Sequence, residues 1–83
     1  MENPATLTSL EPGQQAVVYE LAATGDMRRR LQDIGLICGT KVKCIERSPL
    51  GDPVAYGIRG AVIALRQEDA GMVQILWPGE TRL

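Results

Sequence analysis

The sequence contains no histidine and no phenylalanine, one tryptophan and two tyrosines among 83 residues, and two cysteines. Each scarcity removes a class of chemistry. Histidine is the commonest general base and the commonest zinc or iron ligand, so its absence lowers the expectation of acid–base catalysis and of a metal centre. Three aromatic residues, Tyr19, Tyr56 and Trp77, are too few to line a groove for proline-rich peptides. Cys38 and Cys44 stand six apart, which is neither the C-x-x-C spacing of zinc ribbons and redox dithiols nor the density of a disulfide scaffold. The longest apolar runs, Ala61 to Leu65 and Val73 to Trp77 with Gln74 inside it, fall far short of the roughly 20 residues of a membrane helix. The residues from Met1 to Pro4 show no basic region followed by an apolar stretch, so no secretory signal is expected and the expected compartment is the cytoplasm, where both cysteines stay thiols.

Charge is equally plain. A net charge of −1 gives no positive field to neutralise phosphates, so nucleic acid is not an expected partner. No G-x-x-x-x-G-K-[ST] loop occurs, and neither Lys41 nor Lys43 ends a glycine loop, which excludes a P-loop nucleotide site. Ser9 and Ser48 lie in turn-like contexts with no G-x-S-x-G elbow around them. Glu68 and Asp69 are adjacent on a polar turn, and a chain of this size is not expected to hold the pocket an acid–base pair needs. No catalytic residue, cofactor-binding residue or metal ligand set is assigned, and the chain is not expected to be an enzyme.

What is present is a β-rich pattern. At 83 residues there is room for one domain and one core. Residues 1–9 are polar and without clear periodicity, and read as a loosely ordered lead-in that Leu7 or Leu10 pins to the body. After Pro12-Gly13, Gln15 to Leu21 reads as a strand whose Val17, Tyr19 and Leu21 share a face. Met27, Leu31 and Ile34 then fall at i, i+4 and i+7, the stripe of a short helix from about Asp26 to Ile34, with Asp26 or Thr24 as cap and Gly35-Leu36 as a Schellman ending. Arg28, Arg29, Arg30 and Asp33 occupy its other side, a pattern that usually marks a solvated face, with a docking face as the minority reading.

Thr40 to Arg47 is a second strand in which Val42 and Cys44 face the core while Lys41, Lys43 and Ile45 share the other face, and Ser48-Pro-Leu-Gly-Asp-Pro53 is a rigid loop. Val54, Tyr56 and Ile58 alternate before an Arg59-Gly60 turn, and Ala61 to Arg66 returns as the other half of a hairpin. Gln67 to Gly71 is a polar turn or a single helical turn, and Met72 to Trp77 a last strand. About five short strands and one inserted helix in so short a chain are expected to curl into a small β-barrel, burying one side of the sheet and reducing its free edges. An edge left open would permit pairing with a second copy, so a homo-oligomer is open.

Three segments remain distinctive: Arg28 to Val42, with its arginines, Leu31, Gly35-Leu36 and Gly39; Pro49-Leu-Gly-Asp-Pro53; and Ala64-Leu-Arg66. In this order and spacing, from about Leu10 to Ile75, they resemble the FeoA family of ferrous-iron transport proteins. The resemblance implies an SH3-like small barrel over residues 10–78, with residues 79–83 as a tail, acting from the cytosol on a large membrane permease for ferrous iron that carries a GTPase domain, the FeoB type. It implies no membrane insertion of the chain itself, only peripheral attachment through that partner.

Arg28, Arg29 and Arg30 are then candidates to meet an acidic patch. Leu50 and Asp52 belong to a second candidate surface, with Leu50 either an exposed anchor or a lid on the barrel end. Cys38 departs from the family pattern, where a proline commonly precedes that glycine, and makes the loop entry less rigid. The family is also associated with transition metals. That keeps open an alternative as a small metal-binding or metal-responsive protein, in which Cys38 and carboxylates form at most an adventitious site. At the level of fold the chain is similar to the SH3-like C-terminal domain of iron-dependent repressors, but no helix-turn-helix is read in the sequence and a repressor role is not expected.

Overall fold

The computed structural model describes residues 5–77, so the tail proposed at 79–83 and the first four residues of the lead-in lie outside the described residues. The ladder is antiparallel throughout. Strands β1 (Ala5–Thr6), β2 (Gln15–Leu21), β3 (Lys41–Arg47), β4 (Val54–Ile58), β5 (Ala61–Leu65) and β6 (Val73–Leu76) form one sheet in the order β1-β6-β2-β3-β4-β5. Helix α1 (Gly25–Asp33) joins β2 to β3, and a single turn, α2 (Gln67–Ala70), joins β5 to β6. The expectation of a mainly β fold with one inserted helix holds, with six strands in place of five.

The additional strand comes from the segment read as a loose lead-in. Ala5 and Thr6 pair with Ile75 and Gln74, and Leu7–Ser9 turn as a 3₁₀ helix. Leu7 and Leu10 are wholly buried, and the Tyr56 hydroxyl donates to the Leu7 carbonyl at 3.2 Å. Arg47 fastens the same segment from β3 by donating to the Leu10 carbonyl at 3.1 Å and pairing with Glu11 at 3.4 Å. Residues 5–9 are thus part of the body. Two strand residues are too few to show a period of two, which is why the sequence pattern missed them.

The inward face of β2 also differs from the alternation expected. Ala16 and Val18 are buried while Tyr19 is 46% exposed. Against β6, Val18 is opposite Ile75 and Glu20 is opposite Gln74, so Tyr19 is an extra residue with no partner in the ladder. This bulge resets the phase and returns Leu21 to the core. Strand β3 repeats the device. Cys44 faces Tyr56 and Glu46 faces Ala55, leaving Ile45 as the extra residue, 39% exposed. A large apolar side chain stands outward at each bulge.

Helix α1 closes one side of the core with the expected stripe: Leu31 is buried, and Met27 and Ile34 pack against the cluster. Thr24 is the N-cap residue, but no side-chain capping bond forms; Asp26 instead sits in the first turn, where the helix dipole favours a carboxylate. The helix ends in the expected Schellman pair, Leu36 N–H to the Leu31 carbonyl at 3.0 Å and Gly35 N–H to the Gln32 carbonyl at 3.0 Å. Gly35 has φ +105°, and a Cβ there would stand 2.7 Å from Arg59 Cδ and 3.1 Å from Ile58 Cγ2. The glycine thus lets the helix end press against the β4–β5 hairpin. Gly35→Ala is expected to lower stability by about 1–2 kcal/mol, mostly from the left-handed backbone. Urea denaturation checks this, and an unchanged midpoint would show that the chain relaxes there without cost.

The β4–β5 hairpin turns at Arg59 and Gly60 with φ of 51° and 86°, the primed turn whose twist suits a two-residue connection. Val54, Tyr56 and Ile58 are buried as expected, whereas of β5 only Leu65 is buried. The apolar β5 is an edge strand rather than an interior one. No ladder joins it to β1 at the other end of the sheet among the described residues.

Candidate functional site

The candidate docking residues fall at separate places. The loop between β3 and β4 is braced from within: Gly51 N–H donates to the Ser48 carbonyl at 2.8 Å, and Ser48 N–H to the Pro53 carbonyl at 3.2 Å. Asp52 Oδ1 accepts the Gln67 N–H at 2.9 Å, satisfying one of the unpaired donors at the start of α2. Asp52 therefore has an intramolecular role, tying the loop to α2. Leu50 projects from this braced loop 94% exposed, which decides against its serving as a lid on the barrel. A leucine held in water on a rigid loop has its side-chain surface available to a partner with little left to order.

The three arginines do not make one patch. Successive helical residues are about 100° apart, so three in a row sweep more than half the circumference. Arg28 reaches back to donate to the Leu21 carbonyl at 3.3 Å and lines a shallow groove of 290 Å³ with Tyr19, Gln32, Ile37 and Cys38. Arg30 lines a different groove, of 220 Å³, with Met27, Ile34, Ile63, Leu65 and Asp69. Arg29 is exposed and lines neither of these two grooves.

Cys44 is buried beside the core strands, as expected, and Cys38 is exposed. Among the described residues no group of three or more His, Cys, Asp or Glu side chains is placed to hold a metal ion. Burial pushes the Cys44 thiol above its ordinary 9.0, partly offset by the Arg47 charge, and burial likewise raises the Tyr56 phenol above its ordinary 10.0. Both groups are neutral in the folded state at pH 7. Because their folded pKa values are raised, their contribution to stability is complete below the unfolded values and is lost as pH rises through the higher folded ones. With reductant present, stability measured in urea is expected to hold from pH 7 to 8 and to decline above about pH 9. Cys44→Val should shift the onset of that decline toward the tyrosine range; an unshifted onset would mean the thiol does not contribute.

The chain that folds into this open six-stranded sheet with one inserted helix and a braced β3–β4 loop matches a known family. The FeoA domain model matches residues 5–76. The chain belongs to the FeoA family. A solved FeoA protein from Chlorobium tepidum is 34% identical, with a TM-score of 0.83 over 89% of this chain and 70% of that one. A FeoA of Stenotrophomonas maltophilia complexed with zinc, described as a prokaryotic SH3 domain protein, is 28% identical, with a TM-score of 0.77 over 87% of this chain and 89% of that one.

Among curated proteins, the Fe(2+) transport protein A/Fe(2+) transporter FeoB fusion protein of Porphyromonas gingivalis is 33% identical over 69 residues, 83% of this chain. This FeoA chain spans only 8% of that relative's length. A manganese-dependent transcriptional repressor shares 18% identity at a TM-score of 0.78, over 93% of this chain and 44% of that one, which shows a shared fold. The SH3-like assignment made from sequence is thereby established.

Of the outward apolar residues of this FeoA domain, Ile45 was already placed away from Cys44 by the alternation of β3, whereas Tyr19 at its bulge, Ile37 beside Cys38 and Val62 on β5 were not found by sequence reasoning. For Ile45 a signal existed, since the residue after the inward Cys44 must point outward in a regular strand as well. For Tyr19 there was none, because a bulge leaves no mark in an apolar–polar pattern.

Proposed function

We propose that this chain is a cytosolic accessory protein of ferrous-iron uptake, docking on the cytosolic part of a FeoB-type permease and modulating its transport or GTPase cycle. It is not an enzyme and requires no cofactor in this reading. The observation that carries the proposal is the relative in which a FeoA domain and the transporter are one polypeptide, an arrangement that keeps the two permanently adjacent. On this chain Leu50 supplies the anchor, and Arg28, Arg29 or Arg30 supply charge that steers the encounter with an acidic surface. No helix among the described residues is long and apolar enough to cross a membrane, so association with the bilayer runs through the permease.

The test is quantitative binding of this protein to the soluble domains of its cognate permease, with and without guanine nucleotide. Saturable binding that differs between nucleotide states is expected. Absence of binding to both the soluble domains and the detergent-solubilised whole permease would discard the proposal.

The zinc in the Stenotrophomonas maltophilia relative favours a second reading, a small transition-metal-binding protein that uses the exposed Cys38 and carboxylates. Titration of ferrous iron and of zinc into the reduced protein separates the two. The docking proposal expects no stoichiometric site tighter than micromolar, and such a site would promote the metal reading.

A further inference from the structure

We propose that the free edge of β5 is a strand-addition site, receiving an extended apolar segment of a partner protein that carries acidic residues at both ends. Strand β5 ends the sheet, with β4 as its sole ladder neighbour among the described residues. The two-residue turn at Arg59-Gly60 fixes which of its backbone groups are free. Ile58 and Ala61 form the hydrogen-bonded pair that closes the hairpin, and bonded pairs recur at Tyr56 with Ile63 and Val54 with Leu65. The N–H and C=O groups of Val62 and Ala64 therefore point away from β4.

Natural edge strands are usually protected by a lysine, a proline, a bulge or an inward charge. Ala61–Leu65 has none of these: five apolar residues, a regular register, and Val62 67% exposed. Beside the edge lies the 220 Å³ groove between α1 and β5, walled by Met27, Leu31, Ile34, Ile63 and Leu65. It has room for one aliphatic side chain of an added strand, so the backbone ladder and a specificity pocket occur together.

The charges select the occupant. Arg59 and Arg66 bracket the strand at its two ends, and Arg30 lines the groove against one acid there, Asp69. If a second copy paired its own β5 antiparallel about Ile63, Arg66 of each copy would fall opposite Gly60 of the other and next to its Arg59. Two such like-charge contacts disfavour self-pairing. An apolar strand with Asp or Glu at each end meets the same arginines favourably. This surface is distinct from the Leu50 loop, and the inference does not depend on the docking proposed above.

The experiment uses the full chain, isotope-labelled, titrated with two synthetic peptides: an alternating valine–threonine strand flanked on both sides by glutamates, and the same strand flanked by lysines. Saturable binding of the glutamate peptide, with the largest amide shifts at Val62 and Ala64, is expected at about five- to tenfold higher affinity than the lysine peptide. Val62→Pro and Ala64→Pro remove an outward donor without touching a β4–β5 bond and should abolish binding; charge reversal at Arg59 and Arg66 should invert the peptide preference. The proposal is overturned by equal affinity for the two peptides, by binding that survives both folded proline variants, or by concentration-dependent dimerisation of the chain through β5. If the proline variants lose the fold, the wild-type amide shifts decide: shifts centred elsewhere than β5 reject the site.

Discussion

Tyr56→Ala is expected to lower folding stability by about 3–5 kcal/mol, the range for deleting a large buried aromatic side chain. Tyr56 is the largest of the fully buried residues, at the centre of β4 between Cys44 on β3 and Ile63 on β5. A domain of this size has a total stability of roughly 4–12 kcal/mol, so the substitution removes from about a quarter to all of it. The size of the loss reflects a second function of the side chain. Its hydroxyl donates to the Leu7 carbonyl and so holds the N-terminal segment against the core. Tyr56→Phe keeps the ring and removes the donor, and is expected to cost only about 1–2 kcal/mol. Urea denaturation followed by far-ultraviolet dichroism gives both values. Comparable losses in the two variants would place the whole effect in the hydrogen bond; no loss in Tyr56→Phe would show that the N-terminal segment is held by Leu7 and Leu10 packing alone.

Leu50→Asp is expected to act in the opposite way, leaving the fold intact and removing the partner. With 94% of its surface already in water, Leu50 contributes little to folding, and its replacement should shift stability by no more than about 0.5 kcal/mol. Burial of the same side chain at an interface is worth about 1.5–3 kcal/mol, so affinity for the cognate permease should fall about 10- to 100-fold. Binding measured at matched protein folding, checked by melting, separates the two effects. Asp52→Ala makes a useful companion: it releases the Gln67 N–H and loosens the loop, so a smaller loss of affinity without loss of Leu50 is expected from reduced pre-organisation. Undiminished binding by Leu50→Asp, together with a loss in Arg28→Glu or Arg30→Glu, would move the docking surface to α1.

The reading of the helix shows how far pattern reaches. Met27, Leu31 and Ile34 were visible as one stripe, and Gly35-Leu36 as its ending, because helix period and left-handed termination are local properties of consecutive residues. The arginines show where pattern stops. Adjacent in sequence, they read as one charged run, yet the helix cylinder sends Arg28 toward β2 and Arg30 toward β5. Leu50 illustrates a different limit: its sequence context allowed both a lid and an anchor, and only the path of the chain around it decided for exposure.

By itself the sequence determined five of the six strands and helix α1 of this FeoA domain, the Val54–Tyr56–Ile58 core face, the two turns at Gly35 and Arg59-Gly60, and the family to which the chain belongs. These follow from periodicity, turn chemistry and motif spacing, which act between near neighbours or survive as fixed intervals along the chain. The tertiary structure alone decided that Ala5 and Thr6 join the sheet, that Tyr19 turns outward at a bulge, that Asp52 is engaged by α2, and that β5 is left as an open edge. Each of those depends on which distant strand lies alongside, and a pairing partner far away in sequence leaves no periodic trace in the segment that receives it.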